Sequence, residues 1–441
     1  MRIAIFGLGY VGTVTAAGLA SRGHQVHGVD VDAVKVDLIR SGRSPVVEPG
    51  IDELIATAVE RGDLSATTDP VVALDRAEVS LLCVGTPSKH QGGTDLSYLR
   101  RALDDIRRGL GVATPPASGF HAVVVRSTVP PGTGDDVVSA SFAGVAPAPG
   151  WAVGTAMCPE FLREGSGVAD FFNPPFVVLG TADQRVIDLL SEMFSFLNRE
   201  IRLVDVRSAE ALKYACNAFH AVKITFANEI GRIAQAMNVD SHAVMELVRR
   251  DTRLNIAPAY LRPGFAFGGS CLPKDLRALM YMAKTRDVEI PMLGSLLGSN
   301  RLHIERAAEL VLARGGRRVG LIGLSFKAGT DDLRESPLVT LAEILIGKGL
   351  ELSIYDPHVN VSVLMGANKR YIDQHVPHVA ALLKEDCADV IRGAQTIVVG
   401  ALLADAMEAL KSLATPEQYI LDLAGMRGGQ QLPAEYQGVC W

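Results

Sequence analysis

The chain has 441 residues, which at about 150 per domain predicts two or three domains, each with room for its own core. Hydrophobic residues make up 48% and charged residues 21%, ordinary values that exclude a disordered, collagen-like or coiled-coil chain. The net charge of −6 sets up no global field toward nucleic acid or anionic membranes, and six cysteines scattered without a CxxC pair argue for a reducing cytoplasm rather than a disulfide framework or zinc knuckle.

The uncharged run from Ile3 to Ala20 imitates a signal peptide, but Gly7, Gly9, Gly12 and Gly18 interrupt it. A strand over 2–6 followed by a glycine turn accounts for the first three. Further strands are predicted at 25–29, 79–84, 122–125 and 177–179, the pattern of a parallel sheet wrapped by helices. The Gly, Ala and Pro-rich stretches 111–119 and 143–150 read as loops. Over 208–238, Leu212, Cys216, Phe219, Val222, Phe226, Ile230 and Ile233 recur at spacings of three and four, which predicts one long helix with an apolar stripe. From about Arg317 the alternation returns, with strands expected at 318–324, 351–355, 396–399 and 419–421 and a helix over 338–348 ending at Gly349. No other stretch is long and apolar enough to span a bilayer. The expected fold is α/β: two Rossmann-like doubly wound parallel-sheet domains joined by a long central helix and helical connector.

Gly7-Leu8-Gly9-Tyr10-Val11-Gly12 follows a predicted strand and opens a predicted helix, the setting in which GxGxxG binds a dinucleotide. Gly7 permits the tight turn, Gly9 lets backbone approach a pyrophosphate, and Gly12 allows helix and strand to pack closely. Asp30, at the end of the second strand, can accept both ribose hydroxyls and repels a 2′-phosphate, favouring NAD over NADP. A glycine turn without a ligand is the alternative.

Cys271 lies in Gly268-Gly269-Ser270-Cys271-Leu272-Pro273-Lys274-Asp275, where a turn, a cation and a following helix can lower a thiol pKa and produce a nucleophile. The alternative is a buried structural cysteine, the reading retained for Cys83, Cys216, Cys387 and Cys440 in their apolar or terminal surroundings. Lys213, Asn217 and His220 stand at i, i+4 and i+7, so they share a helix face that could grip a sugar and its reacting oxygen, or simply face solvent. Glu160 and Glu164, in Pro159-Glu160-Phe161-Leu162-Arg163-Glu164, suggest a general base and a cofactor or lysine partner.

Together with Val84-Gly85-Thr86-Pro87, Arg126-Ser127-Thr128, Lys213-Tyr214, Phe267-Gly268-Gly269-Ser270-Cys271 and Phe326-Lys327 through Arg334-Glu335-Ser336, these residues resemble the nucleotide-sugar 6-dehydrogenases, the UDP-glucose/GDP-mannose dehydrogenase family, over almost the whole chain. The stretches 262–267 and 324–337 and the terminal Cys440-Trp441 are most similar to members acting on GDP-mannose.

The resemblance implies an NAD-binding domain over 1–205, a central helical dimerisation region over 206–303 and a nucleotide-sugar-binding domain over 304–441. It implies oxidation of the sugar C6 alcohol to a carboxylate in two hydride transfers to NAD, through a thiohemiacetal and thioester on Cys271. Lys213 and Asn217 would hold the C6 oxyanion, while Asp275 and Glu160 would handle protons and water. Besides the glycine loop, Lys35, Thr86, Thr128, Glu164, Lys274, Lys327 and Arg334 would contact NAD. The sugar nucleotide would meet Phe161, Leu162, Arg163 and His220 from one side. Asn228, Tyr260, Phe265, Gly268 and Lys327 would complete its site, with Arg262 reaching the neighbouring subunit of a dimer built on the central helix. The product would feed a polyuronate such as alginate; no metal, nucleic acid or membrane is implied. Cys158 stands where the family usually has Asn, which bears on the local loop and the position of water. The rival readings are the same chemistry on UDP-glucose, a two-electron hydroxyacid dehydrogenase that would not need Cys271, and a catalytically silent NAD-binding regulator.

Overall fold

The computed structural model describes residues 1–90, 93–143, 149–257, 263–269, 272–325, 333–359, 378 and 381–441. The chain divides into two compact units, Met1–Ala221 and Val222–Trp441.

The first unit is built on β1 (Arg2–Phe6), β2 (Gln25–Val29), β3 (Leu64–Thr67), β4 (Val79–Leu82), β5 (Phe120–Val125), β6 (Ala152–Met157), β7 (Val177–Gly180) and β8 (Ile201–Val204), in the order β3-β2-β1-β4-β5-β6-β7-β8. Both faces of the sheet are covered, and the period of two along each strand sorts its side chains. Ile3 and Ile5 enter one core and Ala4 and Phe6 the other, as do Ala122 and Val124 against Val123 and Val125. The expected parallel sheet holds through β6. There the direction reverses: β7 meets β6 antiparallel at Met157↔Gly180, and β8 runs parallel to β7.

The helix Tyr10–Ala20 explains the uncharged run near the start. It is buried from Gly12 to Ala20, and a Cβ on Gly18 would lie 2.2 Å from the Phe171 ring. Small residues let this helix lie close to its neighbours, and a charge along it would be stranded in the core.

The expected long helix spans Val206–Ala236. Near its start the buried carboxylate of Glu210 accepts hydrogen bonds from Gly132 N and Gly134 N, both at 2.6 Å. Toward its end Glu229, fully buried, accepts from Met292 N and Leu293 N at 2.9 Å each and so caps the helix Pro291–Leu312. The apolar stripe is covered near its end at Ile233 but not in the middle, where Phe219 and Val222 are 42% and 50% exposed.

The second unit carries β9 (Arg318–Ile322), β10 (Glu351–Tyr355), β11 (Thr396–Val399), β12 (Tyr419–Asp422) and β13 (Glu435–Gly438), all parallel, in the order β10-β9-β11-β12-β13. Its first crossover repeats that of the first unit. Gly7, at φ +96°, donates to the Val29 carbonyl at 2.7 Å, and Gly323, at φ +90°, donates to the Tyr355 carbonyl at 2.7 Å. The carboxylate after each second strand then takes the next amide: Asp30 accepts from Leu8 N at 2.7 Å and Asp356 from Leu324 N at 2.9 Å. Both units are therefore Rossmann-like and doubly wound. Among the described residues no helix is long and apolar enough to cross a membrane.

Candidate active site

Two cavities open along the first sheet. One, of about 410 Å³, is lined by Gly7, Gly9, Asp30, Lys35, Cys83 and Gly85 among others. The glycine roles separate here. Gly7 has a positive φ, and its Cβ would touch the Cys83 carbonyl at 2.8 Å. A Cβ on Gly12 would fall 1.8 Å from the Gly7 oxygen. Among the described residues Gly9 has nothing within 4 Å of a Cβ, so its bare backbone faces open space at the start of a helix, the approach a pyrophosphate needs. Asp30 is nearly buried; it accepts from Leu8 N and Asp32 N and pairs with Lys35 Nζ at 3.3 Å. These residues fit NAD. Tyr98, Arg101 and Asp105 of the helix Ser97–Leu110 also border the cleft. Sequence reasoning missed them, although their spacing places them on one helix face away from buried Leu99, Leu103 and Ile106.

Other predicted cofactor residues serve the frame. The Tyr10 hydroxyl donates to Glu48 Oε2 at 2.6 Å and lies 2.9 Å from the Arg163 carbonyl, holding the loop after Glu160. Val11 and Gly12 begin the buried helix, and Thr86 Oγ1 donates to the Thr128 carbonyl at 2.8 Å. Glu164 is exposed.

The second cavity, of about 500 Å³, gathers Glu160, Phe161, Leu162, Arg163, Lys213, Asn217 and His220, seven of the residues predicted for catalysis and sugar binding. Lys213 and Glu160 are both buried, with Nζ 2.8 Å from Oε1 and 2.8 Å from the Glu160 carbonyl. The other carboxylate oxygen accepts from Leu162 N at 2.7 Å, so the pair also shapes the loop it belongs to. Arg163 makes a two-pronged pair with Asp170 at 3.0 and 2.7 Å, which holds the Asp170 carboxyl below its ordinary range. Cys83 is buried in the apolar core, as expected, and also borders the cofactor cleft, while half-buried Cys216 lines this second cavity. Burial pushes the Cys83 thiol up to about 12.

Arg126 and Cys158, not among the predicted site residues, also line this cavity. Arg126 directly follows β5 and Cys158 directly follows β6, and Arg126 Nη1 donates to Cys158 Sγ at 3.3 Å. Burial holds the Cys158 thiol above its ordinary pKa, against the pull of the guanidinium.

In the second unit, Lys274 and Asp275 open the helix Leu272–Lys284 and pair with each other at 2.7 Å. Phe265 packs on that unit's core, and Gly268 presses against the Glu335 carbonyl, which a Cβ would approach to 2.3 Å. Asn228 is exposed on the long helix and Arg334 is half-buried. Cys271, Tyr260, Arg262 and Lys327 lie outside the described residues.

Residues 1–198, 207–301 and 320–425 match in turn the NAD binding domain, the central domain and the UDP binding domain of the UDP-glucose/GDP-mannose dehydrogenase family. The chain belongs to this family. As a member it is an NAD-dependent dehydrogenase, which accords with the glycine loop and Asp30. The GDP-mannose 6-dehydrogenase of Pseudomonas aeruginosa is 48% identical over 451 residues, covering all of both chains. A UDP-glucose 6-dehydrogenase of Bacillus subtilis is 34% identical over 90% of this chain and 87% of its own. Among solved structures, a ternary complex of GDP-mannose dehydrogenase from Pseudomonas aeruginosa has a TM-score of 0.93 at 46% identity, covering both chains completely.

Proposed function

We propose that this dehydrogenase oxidises GDP-mannose at C6 to GDP-mannuronate, withdrawing four electrons. Bound NAD would accept one hydride from C6 in each of two oxidations. Across the whole reaction two hydrides leave C6, water supplies the second carboxylate oxygen, and three protons are released.

Cys271 adds to the aldehyde as a thiolate to give a thiohemiacetal; loss of the second hydride gives a thioester, which water cleaves with the thiol as leaving group. Lys213 and Asn217 donate to the oxygen at C6 as negative charge builds on it. Glu160, paired with Lys213, and Asp275 take up and return protons. The observation that carries this reading is the buried Lys213–Glu160 couple, 2.8 Å apart, lining one cavity with Asn217 and His220 on the sheet whose other cavity fits NAD.

The preference for GDP-mannose rests on full-length similarity at 46–48% to enzymes named for that substrate. UDP-glucose is the second reading, favoured by the lower similarity to enzymes named for it. Three bodies, 1–205, 206–303 and 304–441, would divide cofactor binding, dimerisation and nucleotide-sugar binding. The exposed Val222 and Ile224 on the long helix support a dimer sharing that helix, with Arg262 entering the neighbouring site. A cytoplasmic enzyme supplying a uronate polymer such as alginate fits this chemistry. The test is turnover with GDP-mannose and UDP-glucose side by side: GDP-mannose is expected to give the higher kcat/KM by at least tenfold, and the reverse order overturns the substrate assignment.

A further inference from the structure

We propose that Arg126 anchors an anion in the second cavity of the first unit, and that this anion is the carboxylate the reaction creates at C6. The inference rests on the reaction proposed above. Arg126 is only 7% exposed, and its Nε is buried without a hydrogen-bond partner among the described residues. Among the described residues its guanidinium meets the Cys158 sulfur at 3.3 Å and the face of Phe194, whose ring centroid lies 5.7 Å from the guanidinium carbon. A thiol is a weak acceptor, and Cys158, kept protonated by burial, brings no negative charge. A buried cation in such surroundings is costly unless something anionic meets it.

The carboxylates of the cavity are already engaged. Glu160 is held by Lys213 and Asp170 by Arg163. With exposed Arg199, the described lining carries four cations against two carboxylates, so its surplus is positive and Arg126 is the buried part. An alcohol at C6 has no charge to offer this group. The acid does, and its planar carboxylate matches the fork of a guanidinium. Arg126 therefore acts at the end of the reaction: it favours the carboxylate over the thioester and makes the acid bind more tightly than the alcohol.

The test is calorimetric binding of GDP-mannuronate and GDP-mannose to the full-length enzyme without NAD, so that neither ligand is turned over, in wild type, Arg126→Met, Arg126→Lys and Cys158→Asp. Wild type is expected to bind the acid roughly tenfold or more tightly than the alcohol, the scale of one charge-assisted hydrogen bond. Arg126→Met should abolish that preference with GDP-mannose affinity changed less than about twofold, and Arg126→Lys should retain part of it. Cys158→Asp leaves the arginine in place but neutralises it from within the protein, and should also abolish the preference. An unchanged preference in Arg126→Met or Cys158→Asp, or a parallel loss of affinity for both ligands, overturns the proposal. Binding requires no turnover, so absence of NADH formation in wild type would count against the proposed reaction and not against this ratio.

Discussion

The Lys213 ammonium meets Glu160 twice, at the side-chain Oε1 and at the main-chain carbonyl, each at 2.8 Å. A buried pair of this kind couples the position of the long helix to the conformation of the Glu160 loop, because the same carboxylate also accepts from Leu162 N. Removing one partner leaves an uncompensated charge in the interior.

Lys213→Met should lower unfolding stability by about 3–5 kcal/mol, since Glu160 is left buried without its cation. The double variant Lys213→Met/Glu160→Gln should recover much of that loss, because the remaining amide needs no counter-charge. Turnover should stay abolished in both. Denaturant unfolding and steady-state rates on the same preparations check this; turnover returning in the double variant would show that Lys213 is only structural.

The glycine loop makes a prediction that separates folding from binding. Among the described residues a Cβ on Gly9 meets nothing within 4 Å, whereas one on Gly12 meets backbone at 1.8 Å. Gly9→Ala should fold with nearly wild-type stability yet lose NAD affinity by tenfold or more, because the added methyl occupies the approach to the pyrophosphate. Gly12→Ala should be destabilised outright. Thermal unfolding with and without NAD distinguishes the two.

His121 supplies a pH dependence. It is fully buried; its Nδ1 donates to the Ala77 carbonyl at 2.8 Å, and its Nε2 accepts from the Ser80 hydroxyl at 2.9 Å. Burial lowers its pKa from 6.5 to about 4. The folded state therefore keeps a neutral ring where the unfolded chain takes up a proton. Its contribution is fully present above pH 6.5 and is lost as the pH falls toward 4, a loss of about 3 kcal/mol from this group. His121→Gln should lower stability at pH 7 and flatten the decline over that window, as urea unfolding at pH 7 and pH 4.5 would report.

Much of the fold was legible in the sequence, because buried parallel strands carry apolar runs and the glycine turns punctuate them. β1, β2, β10 and β11 lie where the pattern places them. β3 and β6 were missed because Leu-Ser-Ala-Thr and Ala-Val-Gly-Thr-Ala-Met are short or rich in small residues. β8 and β13 escaped because they are edge strands with exposed or polar side chains, held by their ladders rather than by a pattern. The reversal at β7 depends on pairing across the sheet and leaves no local mark. In the site, the PEFLRE segment and the Lys213 face were readable from residue types and spacing. Arg126 and Cys158 were not paired by any reading of the chain, since 32 positions separate them. They meet because β5 and β6 pair with Val125 opposite Met157, which makes the next residue of each strand a neighbour of the other.

The central claim is that one active site carries the sugar from alcohol to acid through a covalent bond to Cys271. The most direct measurement is the number of NADH molecules formed per GDP-mannose consumed, in wild type and in Cys271→Ser. The account predicts about two in wild type with no free aldehyde in solution, and nearly complete loss of steady-state turnover in Cys271→Ser despite intact binding of GDP-mannose and NAD, because a hydroxyl does not become an anion near neutral pH. A wild-type ratio near one with aldehyde released, or full turnover in Cys271→Ser, would contradict it.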